Sequence, residues 1–127
     1  MPVKTTLTAI TIVVGLGIHP ALLFAQDVAK VSPDTVKIIL ENDKVRVIES
    51  NIPPGRTQAM HSHPTTIVYY LRASRVKSTG PDGKPVVAER KAGDVAYREP
   101  LTHSSENVGA TDAKTLVIEF KEPIGKN

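Results

Sequence analysis

Beyond residue 35 no window of this chain carries a long helical period; short β-branched and aromatic runs alternate with turns containing Gly, Pro, Asn or Asp. Val36–Leu40 is followed by a turn at Glu41-Asn42-Asp43, and Lys44–Glu49 runs on to the breaker Ile52-Pro53-Pro54-Gly55. Thr66–Leu71 has the composition of a pleated, buried surface. Gly80-Pro81-Asp82-Gly83-Lys84-Pro85 reads as a hairpin loop between Arg75–Thr79 and Val86–Arg90. A turn at Lys91–Asp94 leads into Val95-Ala96-Tyr97, and Thr115–Phe120 is the last strand. Short strands at near-regular spacing predict an all-β sandwich or barrel.

With 127 residues the chain has room for one domain. Residues 1–25 read as a secretory signal: Lys4, an apolar run from Leu7 to Ile18, then Ala21–Ala25 before Gln26-Asp27. An uncleaved membrane anchor is the alternative, but His19-Pro20 and the Ala-Gln junction favour cleavage and no stable membrane insertion afterwards. The mature protein is then exported, periplasmic or secreted. It divides into an irregular lead-in (26–35), a β-barrel (36–121) and a C-terminal tail (122–127). Cleavage lowers the formal charge of +3 by one, and the remaining cations are scattered without aromatic interleaving, which argues against nucleic-acid binding.

The sequence has four histidines. His19 falls in the leader, so His61, His63 and His103 carry any imidazole chemistry of the mature chain. A His-x-His pair on a strand puts both rings on one face. A third histidine from a distant strand completes three ligands to a divalent metal, with positions left open for water or substrate. Cysteine is absent, which excludes thiolate ligands and thiol nucleophiles.

Gly55 followed after five residues by His61-Ser62-His63 matches the first half of one cupin motif. Gly93-Asp94, Pro100, His103 and Asn107 match much of the second. The chain therefore resembles the small single-domain cupins (RmlC-like), over roughly Val36 to Phe120. The resemblance implies a double-stranded β-helix, or jelly-roll, barrel in which His61, His63 and His103 bind one metal in the lumen. It also implies that the strand after Gly93-Asp94 delivers His103 from the opposite side. Two features depart from the family pattern. Ile67 and Val68 stand where a ligating glutamate is usual, and Leu101 stands where glycine is common. Three neutral imidazoles suit Fe(II) or Zn first, with Cu, Ni and Mn also compatible.

Among the other candidates, Glu49 and Glu119 could replace the missing carboxylate. Tyr69, Tyr70 and Tyr97 could line the lumen, and strand parity assigns Tyr69 to the face of the histidines. Asn107 reads as the polar end of a strand, and nothing in the sequence singles out Gln58 or Arg72. No general base is visible, so no catalytic residue is named. The expectation is a metal-binding cupin acting on a small molecule as a dioxygenase-like oxidoreductase. The alternatives are a binding module that holds metal or ligand without transforming it, and a barrel with an empty site. Small cupins are commonly homodimers, and Val36–Leu40 offers an edge strand for one.

Overall fold

The computed structural model of the protein describes residues 26–122, together with Pro2. The leader and most of the tail read from the sequence lie outside the described residues. Nine strands run between residues 36 and 120: β1 (Val36–Glu41), β2 (Val45–Ile52), β3 (Thr57–His63), β4 (Thr66–Tyr70), β5 (Ser74–Thr79), β6 (Pro85–Arg90), β7 (Val95–Arg98), β8 (Leu101–Asn107) and β9 (Ala113–Phe120). They pair antiparallel into two sheets, one of order β1-β2-β9-β4-β7 and the other β3-β8-β5-β6. Consecutive strands often change sheet, so the two faces are woven into one barrel.

The pleat decides which side chains face inward. On β2, Ile48, Ser50 and Ile52 are buried, and on β4 so are Thr66, Val68 and Tyr70, while the residues between them are more exposed. Many of the buried groups are polar, including Ser50, Gln58, Thr66, Ser105, Asn107 and Glu119. A wall of that composition is unlike a solid hydrocarbon core, and the barrel does enclose a cavity of about 410 Å3.

Three turns depend on backbone angles that side chains resist. Gly55, Gly83 and Gly93 have φ of 76°, 74° and 88°, at the Pro-Pro-Gly corner, the β5–β6 hairpin and the turn into β7. Asn107, 1% exposed, closes the end of β8. Its amide donates to the carbonyls of Ile52 and Thr111 at 2.7 and 2.8 Å, and its oxygen accepts from the Gly109 amide at 2.9 Å. Both of its donors and its oxygen are thus bonded to backbone, as expected of a strand-end residue.

Where the sequence suggests an irregular lead-in, one helical turn forms, α1 (Val28–Val31), followed by a 3-10 turn at Pro33–Thr35. Asp27 caps α1 by accepting from the Ala29 amide at 3.0 Å. Val28 is buried against the barrel, and α1 packs on β3. At the far edge of the larger sheet, β1 leaves Ile38, Ile39 and Leu40 about half exposed. Among the described residues no helix is long and apolar enough to cross a membrane.

If α1 is part of the folded unit, trimming its one buried anchor must weaken the whole barrel. Val28→Ala is expected to lower unfolding stability by about 1–3 kcal/mol, read as a shift of the urea midpoint at unchanged slope. An unmoved midpoint would show that the segment is merely draped on the surface.

Candidate metal centre

His61, His63 and His103 come together in one group. His61 and His63 lie on β3, and His103 lies on β8 directly across from His61 in the register. His103 thus arrives from the neighbouring strand of the same sheet, not from the opposite side as the family resemblance implies. The turn at Gly93 leads into β7, and a second turn at Glu99-Pro100 intervenes before β8. Ring centroids are separated by 4.7 Å (His61–His63), 4.8 Å (His61–His103) and 5.5 Å (His63–His103).

A bulge sets this arrangement. Gln58 pairs with Ser105 and His61 with His103, so β3 uses three steps where β8 uses two. The extra residue lets Gln58 and both histidines face inward, although their sequence separation is odd. The carbonyl of Ala59, inside the bulge, then lies 2.6 Å from His61 Nδ1.

The partners fix two of the three tautomers. A carbonyl can only accept, so His61 Nδ1 carries the proton and donates to it. His63 Nδ1 donates to the Glu119 carboxylate at 2.6 Å. His103 Nδ1 lies 2.8 Å from the Ser78 hydroxyl, which can accept in the same way. His61 and His63 therefore each turn a bare Nε2 lone pair inward, and His103 does the same when Ser78 accepts its Nδ1 proton. Those of His61 and His63 face one another at 2.9 Å, and that of His103 is buried with no protein partner. Lone pairs so placed repel unless a cation lies between them. Bonds of about 2.0–2.1 Å to a shared metal would put adjacent ligand nitrogens roughly 3 Å apart. The residues fit a divalent transition metal, and the three form a group that could hold one.

Protonating His61 or His103 is a poor way to relieve the repulsion. Burial pushes the His61 pKa below its usual value, with the neighbouring His63 adding to the effect. For His103, burial first, and then the charges of His61, His63 and Arg98, push it down to about 3. Neutral imidazole is the form that binds metal.

Behind His63 runs a chain of ionic hydrogen bonds. Glu119 accepts from Arg46 Nε at 2.7 Å on its other oxygen, and Arg46 grips Asp27 through both terminal nitrogens at 2.8 and 3.0 Å. Burial alone would raise the Glu119 pKa, but the bonds from His63 and Arg46 outweigh it and hold the carboxyl below its usual range. Arg46 likewise holds Asp27 down. Glu119 thus orients His63 and has both oxygens engaged, an arrangement that recurs at histidine metal sites. Glu49 faces the outside of the sheet and pairs with Lys114 at 3.4 Å, so it takes no part.

The remaining candidates separate cleanly. Tyr70 is buried and lines the cavity, whereas Tyr69 and Tyr97 are 40% and 56% exposed. The parity count that favours Tyr69 fails because the chain crosses from one sheet to the other between His63 and Thr66, where alternation restarts. Gln58 is buried in the cavity wall, its amide donating to Thr35 and Ser50, while Arg72 is exposed. Sequence reasoning missed Arg46 and Asp27. The signal available for Arg46 was a single charge in the apolar stretch Val45-Arg46-Val47, matched by Glu119 in Leu116–Phe120; nothing in the sequence marks Asp27.

No protein-family model matches the sequence, and no curated protein does either. Solved structures do match. A cupin domain from Bordetella pertussis Tohama I superposes with a TM-score of 0.64 at 25% identity, covering 68% of this chain and 92% of its own. A double-stranded β-helix protein from Klebsiella pneumoniae gives 0.57 at 21% identity, covering 78% and 90%. A polyketide cyclase from Streptomyces resistomycificus gives 0.53 at 18%, covering 71% and 66%.

Glu119→Gln keeps the shape but removes the charge that orients His63. Zinc affinity, measured by competition with a chromophoric chelator, is expected to fall about 10- to 100-fold. Equal affinity in the variant would mean that the outer carboxylate serves folding alone.

Proposed function

We propose that this chain, a cupin by fold, holds one divalent transition metal on His61, His63 and His103 and presents it to a small molecule in the barrel. The observation that supports this most is the placement of the three Nε2 atoms, two of them 2.9 Å apart and the third buried without a partner. Hydrogen-bond partners at Nδ1 already hold all three rings, so the site is organised before the ion arrives.

The wall suggests what chemistry follows. Among the described residues that line the cavity there is no carboxylate, since Glu119 spends both oxygens on His63 and Arg46. Proton-transfer reactions therefore lack a base of their own. Reactions centred on the metal need none, and we favour a dioxygenase-like oxidoreductase with Fe(II). Such an ion would supply electrons to dioxygen and polarise a chelating substrate. The chain's residues bind and orient the substrate and keep bulk water from it. The same missing base supports a second reading, a module that holds metal or ligand without transforming it. The apolar leader with its Ala25-Gln26 junction supports export, where the metals supplied differ from those of the cytoplasm.

The test is metal content of the untagged chain beside a His61→Ala/His63→Ala double variant, after separate loading with Fe(II), Zn, Cu, Ni and Mn. About one ion per chain, lost in the variant, is the expected result. No ion retained by either protein would remove the reading altogether. Oxygen uptake by the Fe(II)-loaded protein with a chelating substrate panel then separates the oxidoreductase from the binding module.

A further inference from the structure

Two arginines, Arg90 on β6 and Arg98 on β7, line the same cavity as the histidines. Among the described residues neither has a carboxylate partner, although Arg46, Arg56 and Arg75 all do. The acidic residues near Arg90 are engaged elsewhere: Glu89 pairs with Arg75 at 3.3 Å, and Asp94 accepts from the Lys91 amide at 2.8 Å. Arg98 donates to the Tyr70 hydroxyl at 3.0 Å, and the Arg90 guanidinium lies 5.7 Å from the centre of the Tyr70 ring. Arg90 Nε is buried with no hydrogen-bond partner. A neutral phenol does not balance two guanidinium charges, and partly buried cations call for an anion.

Strand registers place these groups along the cavity. On one wall Ser78, which holds His103, pairs with Val86; Val76 pairs with Ala88; Ser74 pairs with Arg90. On the other, Thr66 pairs with Glu119, Val68 with Val117, and Tyr70 with Thr115. Both walls therefore read metal end, apolar middle, and then the end where Arg90 and Tyr70 stand. From Ser78 to Ser74 is four strand residues, or about 13 Å of backbone rise. Arg98 starts from the register of Thr66, at the metal end, and runs along that span to Tyr70, where Arg90 also lies.

We propose that the cavity binds a small organic acid with two anionic ends, of the aliphatic dicarboxylate class. One carboxylate pairs with Arg90 and Arg98 beside the Tyr70 hydroxyl. The hydrocarbon spacer lies against Val68, Val76 and Val117, and the second carboxylate reaches the three-histidine end. This placement of the second carboxylate rests on the metal reading above; the arginine end does not.

The test is calorimetric titration of the full-length protein, zinc-loaded and metal-stripped, with succinate, glutarate and adipate as probes. Dimethyl glutarate (uncharged) and valerate (one carboxylate) serve as comparisons. The zinc-loaded protein is expected to bind a dicarboxylate well above either comparison. Arg90→Gln and Arg98→Gln should each weaken it about 30-fold or more, at unchanged zinc content, and the charge-preserving Lys variants less. Binding of the diester as tightly as the diacid in the wild-type protein would overturn the proposal without any variant. So would arginine variants that bind undiminished. If the chain takes up no zinc, arginine-dependent binding of valerate would uphold the anion end while the metal reading falls. Without valerate binding, both fall.

Discussion

Glu119 is 3% exposed and ionised, and nearly everything about the site follows from what must surround a carboxylate in that position. A buried charge has to be met on every lone pair it presents. One oxygen takes the His63 proton and the other takes Arg46, which needs a second anion of its own and finds it in Asp27. Asp27 in turn starts α1. The metal centre, the larger sheet and the segment ahead of the barrel are thus joined by one uninterrupted series of charge-assisted bonds. Each member limits the freedom of the next, so His63 inherits its orientation from residues far from it in sequence.

This linkage also explains a division of labour between the two sheets. The smaller sheet contributes all three clustered imidazoles, from β3 and β8. The larger sheet contributes the carboxylate that orients one of them and, through β4 and β7, Tyr70 and Arg98. Arg90 meets them there from β6 of the smaller sheet, so the far end of the cavity is built from both walls.

Much of the architecture was legible in the sequence because it is written locally. Turn glycines, the Asp-Gly loop and β-branched runs mark strands at short range, and nearly all the strands read there are present within a residue or two. The three histidines were legible for a different reason: with no cysteine and so few imidazoles, they had little competition. What was not legible depends on pairing across the barrel. Whether Tyr69 or Tyr70 faces inward is settled by a sheet crossing between His63 and Thr66, and whether Glu119 is ligand or support is settled by where Arg46 lies. Residues 28–31 carry too short a pattern to announce a helix, and only the cap at Asp27 and the burial of Val28 make one.

The extra residue in β3 bears on how the histidine pair itself should be understood. A spacing of one between two histidines says only that they share a face; it does not say which. That choice is a matter of phase, counted from Gly55 and corrected once at Ala59-Met60. Shortening this stretch by a single residue would force the strand to choose between Gln58 and the imidazoles, and one set would turn to the outside. The length of the run between corner glycine and first histidine is therefore as much a part of the metal site as the ligands are. It acts as a ruler whose last mark decides between inside and out.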